Sequence, residues 1–211
     1  MKLSEFNFDL PSERIARFPA ERRDESRLMR VDRGSGEVRH LRFSDLPGLL
    51  GADDFLVMND SRVRPARLIG QVAGKAAEML IVKNLGRRRL EVLCQPAARF
   101  TVGAVFTGPD GLRADVLASG ARGRRRLLFD RDFGQVLALG YAPLPPYIKR
   151  KAEEAEQHRV FDLERYQTVY ARDPGSVAAP TAGLHFTAGV LSRIAEKSQL
   201  LQITLEVGEA T

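Results

Sequence analysis

Six short apolar segments, spaced evenly between residues 67 and 130, constrain the fold of this 211-residue chain more than any other feature. Turn sequences such as Gly108-Pro109-Asp110-Gly111 separate them. Short strands at regular spacing are typical of an antiparallel sheet that closes into a small barrel. The predicted strands are residues 68–72, 79–82, 90–93, 104–106, 112–117 and 127–129.

The sequence on either side of this region favours helices and isolated strands instead. Strands flank the turn Gly34-Ser35-Gly36, as in a hairpin, and the apolar run at 55–58 is typical of a buried strand. Thr187 is a predicted helix N-cap, and residues 201–207 alternate between apolar and polar, as in a strand with one buried face. The predicted helices are residues 45–50, 132–139 and 188–197.

These elements together predict the fold class. We expect a mixed α/β domain with an inserted small antiparallel β-barrel domain. The barrel domain is predicted at residues 65–142, and the α/β domain is predicted to combine residues 1–64 with residues 143–211.

Positive charge is concentrated in the predicted barrel. The net charge of the chain is +6, and residues 64–130 hold 13 basic but only 5 acidic side chains. This excess indicates a surface that faces a polyanion such as nucleic acid, with a merely solubilising basic face as the alternative. We expect Arg124, Arg125 and Arg126 of the barrel to contact RNA, together with Lys149 and Arg150 after the stiff segment Pro143-Leu144-Pro145-Pro146.

Several classes of protein are excluded by what the sequence lacks. It has no glycine-rich dinucleotide motif, no phosphate-binding P-loop, no zinc-protease motif and no serine-hydrolase motif. One cysteine and three scattered histidines make a disulfide framework or a metal site improbable. No apolar run reaches the ~20 residues of a membrane span, and Glu5 and Asp9 interrupt any signal peptide, so we expect a cytoplasmic protein without membrane contact.

A loop of small residues, Pro174 to Thr187, contains two prolines and a single imidazole. Such a loop allows a flat ligand to approach the backbone closely, and we expect Thr181 and Gly183 to contact substrate. His185 titrates near neutral pH and is the leading candidate for a general acid or base. A structural hydrogen bond is the alternative for this histidine.

Asn59-Asp60-Ser61-Arg62 provides an amide, a carboxylate, a hydroxyl and a guanidinium directly after a predicted buried strand. These groups suit ribose hydroxyls, base edges and a carboxylate, although the same residues also favour turns. We predict a catalytic role for Asp60 and substrate contacts for Asn59, Ser61 and Arg62. Arg67 is the candidate for pairing with a carboxylate inside the fold.

Tyr166 and Gln167 form a further candidate substrate site. They could stack on and hydrogen-bond a base that is turned out of an RNA loop. Plain core packing is the alternative for Tyr166.

Six segments of the sequence carry a resemblance to a known family: Phe8-Asp9-Leu10-Pro11, Asp24-Glu25-Ser26-Arg27-Leu28, the segment from Asn59 to Arg67, the segment from Pro143 to Arg150, Arg165-Tyr166-Gln167-Thr168-Val169-Tyr170-Ala171 and the loop from Pro174 to Thr187. In order and spacing, they resemble the S-adenosylmethionine:tRNA ribosyltransferase-isomerases of queuosine biosynthesis. The sequence departs from the family pattern at Cys94-Gln95-Pro96-Ala97 and Glu206-Val207-Gly208.

This resemblance implies a reaction in which the ribosyl group of S-adenosylmethionine is transferred to tRNA and isomerised. The acceptor is the aminomethyl group of a 7-deazaguanine at the wobble position, and the product is epoxyqueuosine. S-adenosylmethionine is consumed as a substrate, so no true cofactor is expected, and the enzyme is expected to be a monomer. The alternative is a noncatalytic tRNA-binding paralogue or fragment. Because the family continues beyond the position of Thr211, we expect this chain alone to be inactive while it retains RNA affinity.

Overall fold

The computed structural model describes residues 2–208, so the expectation that concerns Thr211 lies outside the described residues. Within them, helices α1 to α4 are Phe133–Ala138, Ala152–Gln157, Arg159–Arg165 and Ala188–Ala195. Strands β1 to β12 are Arg27–Val31, Val38–Arg42, Phe55–Asn59, Ser61–Val63, Arg67–Val72, Lys75–Asn84, Arg89–Gln95, Val105–Thr107, Arg113–Ser119, Arg124–Phe129, Asp173–Ser176 and Gln199–Ile203.

Strands β5 to β10 form a closed barrel in the order β10-β7-β6-β5-β8-β9, in which neighbouring strands are antiparallel. The predicted barrel is therefore confirmed. Alternate residues of each strand face the interior, and its largest fully buried side chains include Phe100, Phe106 and Phe129. Because burying a side chain of this size contributes about 1.5–3 kcal/mol, this interior is a major source of stability.

Gly70 explains how β5 comes close enough to β8 for the barrel to close. A Cβ atom at this position would lie 2.2 Å from the backbone oxygen of Thr107 and 2.6 Å from the ring of Phe106. Glycine avoids both clashes because it has no Cβ. Helix α1 then adds Val136 to the same core as the chain leaves the barrel.

The α/β part is built on one extended segment that changes its partner halfway. Strand β3 pairs in parallel with β12, and β4 pairs in parallel with β11. Asp60 alone separates β3 from β4. Helix α4 packs onto the β3–β12 pair, where Val190 and Ile194 share a core cluster with Leu56 and Leu200. The partner change places Asp60 at the junction of the two strand pairs.

Several local predictions are confirmed and others are wrong. The β1–β2 hairpin is present, and Thr187 caps α4 by accepting a 3.2 Å hydrogen bond from the Val190 amide. The helix predicted at 45–50 is a 3-10 helix at Phe43–Gly48.

Among the described residues, no helix combines the length and the apolar character that a membrane span requires.

The strand predicted at residues 201–207 is shorter than expected and faces the opposite way. Strand β12 ends at Ile203, and the alternating apolar residues Leu201, Ile203 and Leu205 are 45–62% exposed. Helix α4 covers the other face, because Leu200 lies in the cluster beneath it. The alternation correctly predicts a strand, but which face of the strand is buried depends on where the helix packs.

Candidate functional site

A cleft of about 1060 Å³ lies between the barrel and the α/β part. One wall comes from β5, β6 and β7, and the other comes from residues 143–150, Tyr166, the loop at residues 177–181 and residues 207–208. Sites for small ligands usually have volumes of roughly 300–1000 Å³. The cleft is therefore large enough for a nucleoside-sized ligand that contacts both parts of the fold.

Four of the predicted site residues line this cleft: Lys149, Arg150, Tyr166 and Thr181. Tyr166 is also buried, in a core cluster that includes Val63 and Ala179. Burial raises the pKa of the Tyr166 phenol, so the group remains protonated at neutral pH and can donate a hydrogen bond. Both interpretations of this tyrosine, core packing and a place at the site, are consistent with its position.

Arg150 is placed differently from what a phosphate contact requires. Its side chain is only 2% exposed, and its Nε and Nη2 atoms each donate a 3.0 Å hydrogen bond to a different oxygen of Asp162. The guanidinium also lies 4.2 Å from the ring centroid of Phe18. Contact with a phosphate would require this pair to break, so the exposed Lys149 is the better placed of the two cations.

Arg67 also lines the cleft, and it forms the carboxylate pair that the sequence suggested. Its Nε atom donates a 3.1 Å hydrogen bond to Glu78, which lies diagonally from it across the β5–β6 pair, opposite Ile69. The two opposite charges give this wall of the cleft a polar but nearly neutral character.

Asn59 and Ser61 are engaged in joining strands. The Asn59 amide donates a 2.8 Å hydrogen bond to the Leu205 carbonyl and accepts one of 3.1 Å from the Leu205 amide. The hydroxyls of Ser61 and Ser176 are 2.6 Å apart and buried. The segment is strand rather than turn, and neither side chain lines the cleft.

Asp60 is a buried carboxylate with two partners that sequence reasoning missed. Its oxygens accept hydrogen bonds of 3.0 Å from Arg172 and 2.8 Å from Thr204. These bonds, the one from Arg172 foremost, lower the pKa of Asp60, so it is a carboxylate at neutral pH. The partners lie 112 and 144 positions away in the sequence, and no local pattern indicates either. Asp60 and the exposed Arg62 lie outside the cleft lining.

His185 lies at the end of the 3-10 helix Thr181–His185, away from the cleft. Its Nδ1 atom is 3.0 Å from the Ser26 hydroxyl, and its ring centroid is 5.3 Å from that of Phe43. Burial, and after it the nearby Arg23, lowers the pKa of His185, so the neutral imidazole predominates at neutral pH. The structural hydrogen bond that was the alternative for this residue is present.

Gly183 and Gln167, two further predicted substrate contacts, are engaged in packing and hydrogen bonds within the fold. A Cβ atom at Gly183 would lie 2.2 Å from the Tyr170 hydroxyl, so the packing requires glycine there. The Gln167 amide bonds both backbone groups of Val63, at 2.9 and 2.7 Å. Both residues therefore have partners within the fold.

The three barrel arginines differ in availability. Arg124 pairs with Glu91 at 2.8 Å, and Arg125 donates to the carbonyls of Phe100 and Ala97 at 2.7 and 2.9 Å. Arg126 is 66% exposed, and its nearest carboxylate oxygen, on Glu91, is 4.0 Å away. Of the three, Arg126 is the one best placed to contact RNA.

Metal chemistry has no evident site in the part of the chain that the structure covers. Among residues 2–208, the His, Cys, Asp and Glu side chains form no group of three that could hold a metal ion. Cys94 lines the cleft, but burial raises the pKa of its thiol to about 12, so it is a poor nucleophile or ligand at neutral pH.

Comparison with known proteins places these features in a family. The family model described as queuosine biosynthesis protein matches residues 3–211. Proteins named S-adenosylmethionine:tRNA ribosyltransferase-isomerase from Desulfitobacterium hafniense and Symbiobacterium thermophilum are 44% and 45% identical over 218 residues. These matches cover all of this chain and 62% of each relative.

One solved structure is also similar. A crystal structure of S-adenosylmethionine tRNA ribosyltransferase from Thermotoga maritima is 27% identical in sequence, with a TM-score of 0.38. The match covers 96% of this chain and 58% of the Thermotoga maritima chain.

Proposed function

We propose that this chain, which belongs to the queuosine biosynthesis protein family, supplies part of the active site for the tRNA ribosyltransferase-isomerase reaction after which two of its relatives are named. The ribosyl group of S-adenosylmethionine is transferred to the aminomethyl group of a 7-deazaguanine at the tRNA wobble position and isomerised. Adenine and methionine leave, and epoxyqueuosine remains in the RNA. The reaction consumes S-adenosylmethionine as a substrate, without a further cofactor.

The observation that carries this proposal is the cleft between the barrel and the α/β part. Its volume suits S-adenosylmethionine, and the small residues Val177, Ala178 and Ala179 allow a flat adenine close to the backbone. Thr181 and the protonated Tyr166 offer hydroxyl groups to the ribose. Lys149 offers a cation to the methionyl carboxylate.

We propose that the outer face of β7 and β10 contacts the tRNA phosphates. Arg89 and Arg126 are exposed, and the register pairs Arg126 with Glu91 and Leu128 with Arg89. The two arginines therefore lie diagonally on one outer face, about 7–8 Å apart by sheet geometry. Two cations at this spacing can contact phosphates of one strand. We further propose that the enzyme is cytoplasmic, because its tRNA substrate is in the cytoplasm, and that it acts as a monomer.

His185 and Asp60 are proposed to support the reaction. A general acid or base for the ribosyl transfer has to come within hydrogen-bond reach of the ligand. Since neither residue lines the cleft, the roles that fit their positions are fixing the Thr181–His185 turn and the β3–β4 junction. Proton transfer by His185 stays a prediction, and a loss of ribosyl transfer of ~10²-fold or more in His185→Ala, with folding intact, would support it.

Calorimetry with S-adenosylmethionine tests the cleft assignment directly. The chain should bind S-adenosylmethionine, and Lys149→Ala should weaken binding by roughly tenfold because a charge-assisted hydrogen bond is lost. Lys151→Ala is the matched control, since Lys151 is exposed on the same segment but does not line the cleft. Equal effects of the two substitutions would contradict the assignment.

Adenine release tests the reaction. The chain is incubated with S-adenosylmethionine and tRNA that bears the aminomethyl base, and free adenine is quantified against unmodified tRNA as the control. Adenine that depends on the aminomethyl base supports the transferase. Tight tRNA binding without any affinity for S-adenosylmethionine would instead favour the noncatalytic RNA-binding alternative.

A further inference from the structure

The segment at residues 17–26 crosses the α/β part and contacts two elements that form one wall of the cleft. These elements are the end of α3, which leads into Tyr166, and the 3-10 helix Thr181–His185. Tyr166 and Thr181 both line the cleft. The contacts between the segment and these elements span more than 140 positions of sequence in most cases, so they are tertiary rather than local.

Arg23 connects the two elements through one guanidinium. Its Nη1 atom donates hydrogen bonds of 3.2 Å to the Arg165 carbonyl and 3.0 Å to the Leu184 carbonyl, and its Nη2 atom donates one of 3.0 Å to the Glu164 carbonyl. The carbonyls in the last turn of a helix lack partners within the helix, and a cation there is favourable. Arg23 therefore caps α3 and holds the 3-10 helix with the same planar group.

Arg165 makes the reciprocal contact. Its guanidinium donates to the carbonyls of Glu21 at 3.0 Å and Ala20 at 2.5 Å. The two arginines lie close enough that, after burial, Arg165 is a further cause that lowers the pKa of Arg23. Two like charges are tolerated here because backbone carbonyl dipoles surround both of them.

A second row of contacts joins the same segments. The Ser26 hydroxyl lies 3.0 Å from Nδ1 of His185, and the Thr187 hydroxyl lies 3.5 Å from a carboxylate oxygen of the buried Asp24. These contacts hold the 3-10 helix from its C-terminal side, but they do not reach α3. Among the contacts described for this segment, the fork of Arg23 is the one that bonds both elements.

We propose that Arg23 is a positioning residue for the cleft, which keeps Tyr166 and Thr181 in register by fastening the end of α3 to the Thr181–His185 helix. The proposal rests on the proposed function only in that S-adenosylmethionine is taken as the occupant of the cleft. A lysine cannot replace this arginine fully, because its single ammonium lacks the rigid planar fork that reaches three carbonyls at once.

Hydrogen exchange of the unliganded chain tests the proposal without reference to activity. The reporters are the Tyr166 amide, bonded to the Asp162 carbonyl, and the Gly183 amide, bonded to the Pro180 carbonyl. Arg23→Gln should speed exchange at both amides while barrel amides are unchanged, and Arg23→Lys should give a smaller increase at both. The control is Arg22→Gln, which removes the same charge from a neighbour that is 68% exposed. Arg22 pairs with Asp24 at 3.3 Å rather than with the carbonyls of α3 or the 3-10 helix, so this substitution should change both amides less than Arg23→Gln does.

Calorimetry supplies the functional measurement. We expect Arg23→Gln to weaken binding of S-adenosylmethionine by roughly tenfold, Arg23→Lys to restore part of the loss, and Arg22→Gln to weaken binding less than Arg23→Gln does. If Arg23→Gln does not fold, hydrogen exchange and calorimetry are both measured on Arg23→Lys.

Faster exchange at only one of the two amides, or an equal effect of Arg22→Gln, would overturn the proposal. Unchanged affinity of Arg23→Gln beside a parent chain that binds would overturn it as well. A parent chain without affinity for S-adenosylmethionine would count against the proposed function, while the exchange result would still decide the role of Arg23.

Discussion

Asp162→Asn should destabilise the protein strongly, because it removes one half of a buried ion pair. The Arg150 and Asp162 side chains are 2% and 9% exposed, and two hydrogen bonds of 3.0 Å join them. The substitution leaves the guanidinium buried without a counter-charge, a change that typically costs about 3–5 kcal/mol. The Nη1 atom of Arg150 already lacks a hydrogen-bond partner among the described residues, so little remains to compensate.

Urea and thermal unfolding at neutral pH measure this loss. For a chain of this size each 1 kcal/mol corresponds to roughly 2–4 °C in Tm, so Tm should fall by about 6–20 °C. Since the pair is shielded from solvent, the loss should be nearly the same at low and at high salt.

Glu154→Gln is the matched control. Glu154 accepts hydrogen bonds of 2.8 Å from Arg17, but these side chains are 35% and 57% exposed. An exposed pair contributes about 0–1 kcal/mol, and the substituted amide keeps an acceptor for the first turn of α2. If Asp162→Asn cost no more than this control, the argument that burial of the charge sets the magnitude would be refuted.

Three further predictions concern the loop, the histidine and the barrel. Gly183→Ala should lower the free energy of unfolding by about 1–3 kcal/mol, because its Cβ would lie 2.2 Å from a tyrosine hydroxyl. Gly189→Ala has open space in α4 and should be neutral or raise the free energy of unfolding by up to about 1 kcal/mol. A smaller loss at Gly183 than at Gly189 in urea unfolding would contradict this prediction. The folded state lowers the pKa of His185 below 6.5, so the stability that the neutral imidazole contributes is present above pH 6.5 and is lost as the pH falls through the lower folded pKa. His185→Gln should therefore flatten the fall of Tm in mildly acidic buffer. An unchanged dependence of Tm on pH would refute the assignment. Arg126→Ala should reduce the slope of log K for tRNA binding against log salt concentration by about one and should leave Tm unchanged. Arg125→Ala should lower Tm, because its hydrogen bonds to backbone carbonyls are lost. A lower Tm in Arg126→Ala and a reduced slope in Arg125→Ala would exchange their assigned roles.

Local patterns were sufficient for the elements whose partners lie nearby in the sequence. Alternation and turn residues predict the barrel strands and the antiparallel pairing of consecutive strands such as β5 with β6 and β6 with β7. The same holds for the β1–β2 hairpin, for Thr187 as the N-cap of α4, and for Arg67, whose carboxylate partner Glu78 lies on the adjacent strand. The pairings of β5 with β8 and of β7 with β10 join strands that are distant in the sequence, and they are decided by closure of the barrel.

The candidate site depended on contacts between distant segments. Their charge suggests that Arg125 and Arg150 are available for phosphates. In the fold, however, Arg125 donates hydrogen bonds to backbone carbonyls and Arg150 pairs with Asp162. The sequence indicates that Asp60 is a notable carboxylate, but its partner Arg172 lies directly before β11, whose pairing with β4 joins residues more than 100 positions apart.

The sequence by itself therefore determined the fold class, the barrel and the residue types available for chemistry. The tertiary structure alone decided which face of β12 is buried, which arginines are exposed and which residues border the cleft. The physical reason is that a side chain's periodicity fixes only its direction relative to its own strand or helix. Burial and partners depend on which apolar surfaces pack together, and that packing is a property of the whole chain.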